Sequence, residues 1–411
     1  MVERVEILNK MEMFKEKQVI KVITGIRRCG KSTVMGQFQQ RLLASGVKME
    51  QIISINLESL KNEALLNYRA LYDYVMEHKF SGDGFTYVFL DEVQRVKEFQ
   101  KAVDSLFIES GFDIYVTGSN SDLLSSELST LLTGRFIEIK MLPLSFAEFV
   151  GGVSEKEKNV GDSGSGFQVD LKRCFNEYMK YGSMPYTLKL SDDFEAVEIY
   201  LEGIYNTIIN TGILLRHKEV ELGLMESICK FIASNVGSLI SSTNIANALT
   251  SSGRKVSYAT VEKYISYLKE CYLIYEAKRF DIKGKQLLKS LSKYYVVDCG
   301  LRNFLLSNQG GDLGHILENI VYLQLLRQGF KVSVGKMNDT EVDFVAETKS
   351  GLIYFQVCAS VMEKSILDRE LAPLMKIADN YPKYLITLDD YVFGDFSGIK
   401  VINALDFLLA K

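Results

Sequence analysis

The sequence predicts an α/β protein. Residues 1–150 form a parallel sheet wrapped by helices, a largely helical middle follows, and a second α/β segment closes the chain. Three observations carry this expectation. Over the first 150 residues, short β-branched or aromatic runs alternate with stretches of helical period, the pattern of a parallel sheet. One strand-to-helix transition holds Gly25-Ile26-Arg27-Arg28-Cys29-Gly30-Lys31-Ser32, a full match to G-x-x-x-x-G-K-[ST]. At 411 residues the chain exceeds a single core. At ~150 residues per domain, about two to four domains are expected.

Composition narrows the class. Hydrophobic residues make up 47% and charged residues 24%, as in a soluble globular protein. No apolar run approaches the ~18–20 residues that cross a bilayer, and Met1–Glu6 lacks the basic-then-apolar layout of a secretory leader. Cys29, Cys174, Cys229, Cys271, Cys299 and Cys358 form no C-x-x-C pair, which points to reduced thiols in a cytoplasm. His78, His217 and His315 are too few for a His-rich metal site. The net charge of −4 gives no global attraction for nucleic acid, although a local basic patch remains open.

Residues 1–18 read as a short amphipathic helix. Val19–Thr24 is a buried strand, and Thr33–Leu43 has helical spacing. Strand, glycine loop and helix together make a phosphate-binding loop of Gly25, Ile26, Arg27, Arg28, Cys29, Gly30, Lys31, Ser32 and Thr33. Its glycines let successive N–H groups converge on phosphate, and the helix N-terminus adds its positive end. Lys31 is expected on the β- and γ-phosphates of ATP, and the Ser32 hydroxyl on Mg²⁺. Gln51–Leu57 is a second strand and Asn62–Lys79 a helix. Phe85–Leu90 is a third strand ending in Asp91 and Glu92. Behind this loop Asp91 is expected to hold Mg²⁺ through its waters and Glu92 to act as general base. The bland alternative is a solvated strand end. Asp113–Thr117 runs into Gly118-Ser119-Asn120-Ser121, where Asn120, with Ser119 second, is placed to sense the γ-phosphate or to cap a helix. Arg135 precedes one more strand and is either a transition-state finger, in cis or from a neighbouring subunit, or a surface arginine.

These motifs, with Leu-Thr-Gly-Arg-Phe-Ile-Glu-Ile-Lys-Met-Leu-Pro-Leu-Ser-Phe-Ala-Glu-Phe at 132–149, resemble a prokaryotic family of AAA-type P-loop ATPases. Its members carry a C-terminal domain of unknown function numbered 4143. In that family Lys31 and Ser32 match the first nucleotide motif, Asp91 and Glu92 the second, and Asn120 the sensor. The resemblance implies ATP binding and hydrolysis in an archaeal or bacterial cytoplasm, with a homo-oligomer open.

Residues 151–166, rich in glycine, serine and charge, are expected as a flexible linker. Residues 167–225 read as a helical lid broken by Tyr181-Gly182-Ser183-Met184-Pro185. Residues 226–305 follow a winged-helix plan. A helix begins at Phe231-Ile232-Ala233, Thr243–Leu249 and Ser257–Leu268 are helical, and strands follow at 272–280 and 294–298. Arg254, Lys255, Lys263, Lys278, Arg279, Lys283 and Lys285 would meet the phosphates of double-stranded DNA. Glu262 and Glu270 on the same helix keep a protein partner equally open. Residues 306–411 look like a restriction-endonuclease-like domain, with Glu318 and Asp343 at its first two acidic positions. Where that plan has Glu-x-Lys, this chain has Gln356-Val357-Cys358, which removes the charge of both groups.

The expected function is a Mg²⁺-dependent ATPase whose nucleotide state moves the winged helix and C-terminal domain against a DNA or protein partner. The alternative is a nucleotide-switched binding module with little turnover. Nuclease activity is not expected.

Overall fold

The structure is a computed structural model, and it describes residues 2–120, 134–160, 169–191, 193–307, 312–391 and 394–410. The chain divides into two compact units, Met1–Leu142 with Glu270–Tyr272, and Pro143–Lys269 with Leu273–Lys411.

The first unit runs α1 (Val5–Met13), β1 (Ile20–Thr24), α2 (Lys31–Ala44), β2 (Ile52–Asn56), α3 (Tyr68–Glu77) and β3 (Thr86–Asp91). It continues with α4 (Phe99–Ile108), β4 (Phe112–Gly118) and β5 (Phe136–Lys140). Its strands form one sheet in the order β2-β3-β4-β1-β5, every pair parallel. A parallel sheet with helices on both faces needs strands apolar on both sides, and β1 and β3 are buried along their whole length. One face packs Ile20, Val22, Val88, Leu90, Ile114 and Val116 under Leu71 and Val75 of α3 and Val103 and Leu106 of α4. On the other, Phe38 of α2 meets Tyr115 at 5.3 Å and Phe89 at 6.4 Å between ring centroids. Lys21 shares that second face, fully buried and paired with Asp113, its ammonium 5.2 Å from the centre of the Tyr115 ring. Burial pushes its pKa down, and Asp113 opposes that shift.

The register aligns the strand ends. Thr24 lies opposite Gly118 on one side and Lys140 on the other, and Asn56 opposite Asp91. The loop after β1 and the residues ending β3 and β4 therefore leave the sheet at one edge, where open α/β sheets bind ligands.

The second unit opens with α5 (Phe146–Val160), α6 (Leu171–Tyr181), α7 (Thr187–Leu190), α8 (Phe194–Thr207) and a π-helical stretch at Ile208–Leu214. Helices α9 (Leu222–Ser234), α10 (Ser242–Ser251) and α11 (Tyr258–Glu270) precede the hairpin β6 (Ile274–Asp281) and β7 (Gln286–Val296). Next come α12 (Cys299–Leu305), α13 (Leu313–Arg327), β8 (Lys331–Met337), β9 (Thr340–Thr348), β10 (Gly351–Cys358) and α14 (Lys364–Met375). β11 (Lys383–Thr387), β12 (Gly394–Phe396), β13 (Ile399–Asn403) and α15 (Ala404–Leu409) complete it. Its sheet runs β12-β13-β11-β10-β9-β8-β6-β7.

Three expectations need correction. Residues 151–160, read as part of a linker, continue α5. Ser145 and Glu148 cap its start reciprocally, Ser145 N–H donating to Glu148 at 2.8 Å and Glu148 N–H to Ser145 Oγ at 3.1 Å, while Phe149 and Val153 are buried. Residues 161–166 lie outside the described residues. Phe231-Ile232-Ala233 belongs to the last turns of α9 rather than to the start of a helix, because Leu224, Met225 and Ile228 extend its buried stripe backwards. The hairpin of residues 226–305 does not stand free of residues 306–411. β6 pairs in parallel with β8, so both stretches share one sheet.

Candidate nucleotide site

The loop between β1 and α2 is shaped by three left-handed or strongly extended backbone positions, Gly25 (φ 152°), Arg28 (φ 69°) and Gly30 (φ 102°). A Cβ on Gly25 would sit 2.1 Å from the Met141 carbonyl oxygen, so only glycine fits. The Met141 carbonyl is fixed in turn, because Met141 N–H donates to the Thr24 carbonyl at 2.8 Å. From the far side the buried Arg4 reaches in. Its guanidinium donates to the Cys29 carbonyl at 3.1 Å and to the Leu142 carbonyl at 2.7 Å. A trans peptide sets its C=O and the following N–H in opposite directions. With the Cys29 carbonyl held toward Arg4, the Gly30 N–H points away from it.

Helix α2 begins at Lys31 with no side-chain cap and no acid in its first turn. Its open N–H groups and its dipole favour an anion there. The Lys31 ammonium is buried, donates to the carbonyls of Gly25 at 3.0 Å and Ile26 at 3.2 Å, and lies 3.9 Å from Glu92 Oε1. Ser32 and Thr33 are exposed on the first turn. Arg27 pairs with Glu58 at 2.7 Å at the rim.

β4 lies between β1 and β3, so the acidic strand is the second neighbour of the loop strand rather than the first. Thr117 of β4 fills this gap. Its hydroxyl donates to Asp91 Oδ1 at 2.5 Å and accepts the Glu92 N–H at 2.9 Å. Glu92 adopts a left-handed backbone (φ 54°), uncommon for a residue with a side chain. Its carboxylate accepts hydrogen bonds from Gln94 at 2.5 Å and Ser119 at 3.1 Å. Asn120 is buried just past β4, at the same edge. The hydroxyl of Ser32 and the carboxylate of Asp91 are hard oxygen donors suited to Mg²⁺.

Arg135 does not join them. The Ile20 N–H donates to the Arg135 carbonyl at 2.8 Å, which places Arg135 beside the opposite end of β1. The five residues of β1 separate it from the loop, a distance of about 16 Å at ~3.3 Å per residue. Its side chain pairs with Asp104 of α4 and stacks 5.6 Å from the Phe107 ring centre. This placement sets Arg135 apart from the loop residues. Thr117, Gln94 and Arg4 escaped the sequence reading. Thr117 had a signal, since it precedes the Gly-Ser-Asn turn, whereas Arg4 had none.

A family model described as an AAA domain matches residues 17–150, and another, a domain of unknown function (DUF8612), matches residues 172–312. An uncharacterized protein of Haemophilus influenzae is 37% identical over 409 residues, spanning 100% of this chain and 99% of its own length. The chain belongs to the same family of AAA-domain proteins. A second relative, an uncharacterized protein of Methanocaldococcus jannaschii, is 33% identical over 91% of this chain and 83% of its own length. A Walker-type ATPase of Pyrococcus abyssi superposes with a TM-score of 0.51 at 17% identity, covering 74% of this chain and 96% of its own, which shows a shared fold. The AAA domain therefore rests on sequence and architecture together. The domain of unknown function that matches is 8612 rather than 4143, and it lies in the middle of the chain.

In the second unit the basic residues expected on phosphates are partly engaged by acids. Lys263 pairs with Glu219 at 2.8 Å and Arg254 approaches Glu221 at 4.0 Å. The hydrogen bond from Lys263 pulls the Glu219 carboxyl down to about 2. Lys255, Lys278, Lys283 and Lys285 are exposed, and Arg279 is half-buried. Glu318 of α13 and Asp343 of β9 do come together, and both contact Lys293 of β7. No helix among the described residues is long and apolar enough to cross a membrane.

Proposed function

We propose that the AAA domain binds ATP with Mg²⁺ and hydrolyses it. The observation that carries this reading is the meeting of Lys31, Asp91, Glu92, Ser119 and Asn120 at one sheet edge, over an uncapped helix N-terminus. The loop N–H groups and Lys31 bind the β- and γ-phosphates, Lys31 exchanging its two carbonyl acceptors for phosphate oxygens. Ser32 and Asp91 hold the metal, which, when bound, neutralises charge on the transferred phosphoryl group. Glu92 accepts the proton of the water whose oxygen attacks the γ-phosphorus, as the bond to the ADP oxygen breaks. Asn120, with Ser119, orients that water. The second unit is the output. Its winged helix and endonuclease-like sheet respond to the nucleotide state and act on a DNA or protein partner.

A second reading, a nucleotide-driven switch with slow turnover, is favoured by one feature: Gln94 and Ser119 already occupy the Glu92 carboxylate. One assay separates the two. Mg²⁺-dependent ATP hydrolysis is measured for wild type, Lys31→Ala and Glu92→Gln, with and without duplex DNA. Turnover lost in both variants supports the ATPase, and stimulation by DNA supports a nucleic-acid partner. ATP binding by wild type without turnover under either condition leaves the switch.

A further inference from the structure

The second unit gathers three carboxylates around one ammonium. Lys293 Nζ of β7 lies 2.8 Å from Glu318 Oε1 of α13, and 2.6 Å from Glu341 Oε1 and 3.4 Å from Asp343 Oδ1 of β9. Lys293, Glu318 and Asp343 are buried. The endonuclease-like plan would put a divalent metal among these acids, and the residues present do not fit one. Asp343 Oδ2 accepts the Val357 N–H at 2.9 Å, and its other oxygen faces the ammonium. Glu318 Oε1 also accepts the Tyr295 hydroxyl at 2.7 Å, and its Oε2 is packed close against Gly237. Gln356, at the position of the third acid, is used at both ends, accepting the Asp343 N–H at 3.3 Å and donating to Glu370 at 3.0 Å. The Cys358 thiol, at the position of the lysine, is turned to the Ser360 carbonyl at 3.2 Å. Among the described residues no group of three or more His, Cys, Asp or Glu is arranged to hold a metal ion.

We infer that Lys293 is the resident cation of this cluster, its ammonium standing where a metal-dependent nuclease would carry its divalent ion, so that the second unit fastens its hairpin to α13 and β9 instead of cleaving phosphodiesters. The lysine enters from β7, a strand outside the Glu-x-Lys position, and it brings only a single positive charge. A single charge supports an ion-pair network but polarises no water for attack on phosphorus. What it does provide is a three-way tie between the hairpin, a helix and the middle of the sheet, with charge-assisted hydrogen bonds to each.

The test is calorimetric titration of the full chain with Mn²⁺ in the absence of nucleotide, using wild type, Asp343→Asn, Lys293→Met and the double variant. Weak binding at the nucleotide site is common to all four and cancels. Wild type and Asp343→Asn are expected to give the same isotherm. Lys293→Met is expected to gain a site at least tenfold tighter than anything in wild type, and the added Asp343→Asn to remove it. Mn²⁺ binding by wild type that Asp343→Asn abolishes would overturn the inference, as would Mn²⁺-dependent cleavage of duplex DNA lost in the same variant. A folded Lys293→Met protein that gains no site overturns it too. Should Lys293→Met fail to fold, the comparison of wild type with Asp343→Asn still decides.

Discussion

Thr117 and Asp91 share a short hydrogen bond, Oγ1 to Oδ1 at 2.5 Å, and the same hydroxyl accepts the backbone N–H of Glu92 at 2.9 Å. One side chain on the strand between the loop strand and the acidic strand therefore orients Asp91 and Glu92, the proposed metal-binding acid and general base, together. Thr117→Val keeps the shape and removes both bonds. It leaves the Glu92 N–H without its partner, at a cost of about 1–3 kcal/mol. We expect kcat for ATP hydrolysis to fall ~5–150-fold, the rate equivalent of that energy, with KM within a few-fold of wild type. A steady-state comparison checks it, and a rise in KM at unchanged kcat would contradict the assignment.

In the proposed reaction Arg4 acts at nucleotide binding. By holding the Cys29 carbonyl it sets the direction of the Gly30 N–H in the phosphate loop. Arg4→Met fills the same volume without the two hydrogen bonds. The expected result is weaker ATP binding by about 1.5–3 kcal/mol, the worth of a hydrogen bond to a charged group, with kcat at saturation little changed. Fluorescent-nucleotide titration reads this directly.

Much of this was legible in the sequence, for identifiable reasons. The five strands of the AAA domain are short, apolar and separated by turn residues, so their period and order along the chain could be read directly. Lys31 stands in a motif whose spacing is dictated by phosphate geometry, and Glu92 is the second of two acids that end an apolar strand. Arg135 stayed open between two roles because the sequence puts it at the start of β5 without giving the direction of that strand, and the parallel pairing of Ile20 with Phe136 supplies it. Residues 151–166 read as a linker on their glycines, serines and charge, although the Ser145-x-x-Glu148 capping box announces a helix. Lys293 could not be found by spacing at all. It lies 25 residues from Glu318 and 50 from Asp343 along the chain and meets them only through the sheet.

Arg135 gives a discriminating negative. Its partner Asp104 and the Phe107 ring hold it at the end of the sheet remote from the loop. Arg135→Ala is expected to leave kcat within about twofold and to lower stability by ~0.5–1 kcal/mol, as for a partly exposed ion pair. A loss of two orders of magnitude in kcat, rescued by mixing with a subunit bearing an intact arginine, would instead reveal a role between subunits.

Gly182 is a point of intolerance in the second unit. Its backbone is left-handed (φ 78°), and a Cβ there would sit 2.3 Å from Asp298 Oδ1 and 2.7 Å from the Gly300 nitrogen. That carboxylate is the anchor of the Tyr181–Pro185 break, accepting Ser183 N–H at 2.5 Å, Ser183 Oγ–H at 2.9 Å and Leu301 N–H at 2.9 Å. Gly182→Ala adds both strain and overpacking, expected to cost about 2–4 kcal/mol. Urea unfolding followed by circular dichroism should show the second unit melting earlier, while ATP binding by the AAA domain persists.

The cluster around Lys293 also sets a pH dependence. One ammonium faces three carboxylates, so the buried acids hold protons more readily than they do in water. The Glu318 carboxyl is pushed up to about 7, first by burial and then by the charge of Asp343, while Lys293 and Tyr295 pull it back. Burial pushes Asp343 in the same upward direction. Between the ordinary glutamate value of 4.5 and about 7, the folded protein binds more protons here than the unfolded chain does. Stability from this site is therefore full below the ordinary value and declines as pH rises through that window. Glu318→Gln places a neutral, hydrogen-bonding group at the position and removes that proton from the balance. The difference in urea midpoint between wild type and Glu318→Gln should thus shift against wild type from pH 5 to pH 7.5 and level off above. A difference that stays constant across this range would mean that Glu318 is ionised throughout, with Lys293 alone sufficient to hold its charge.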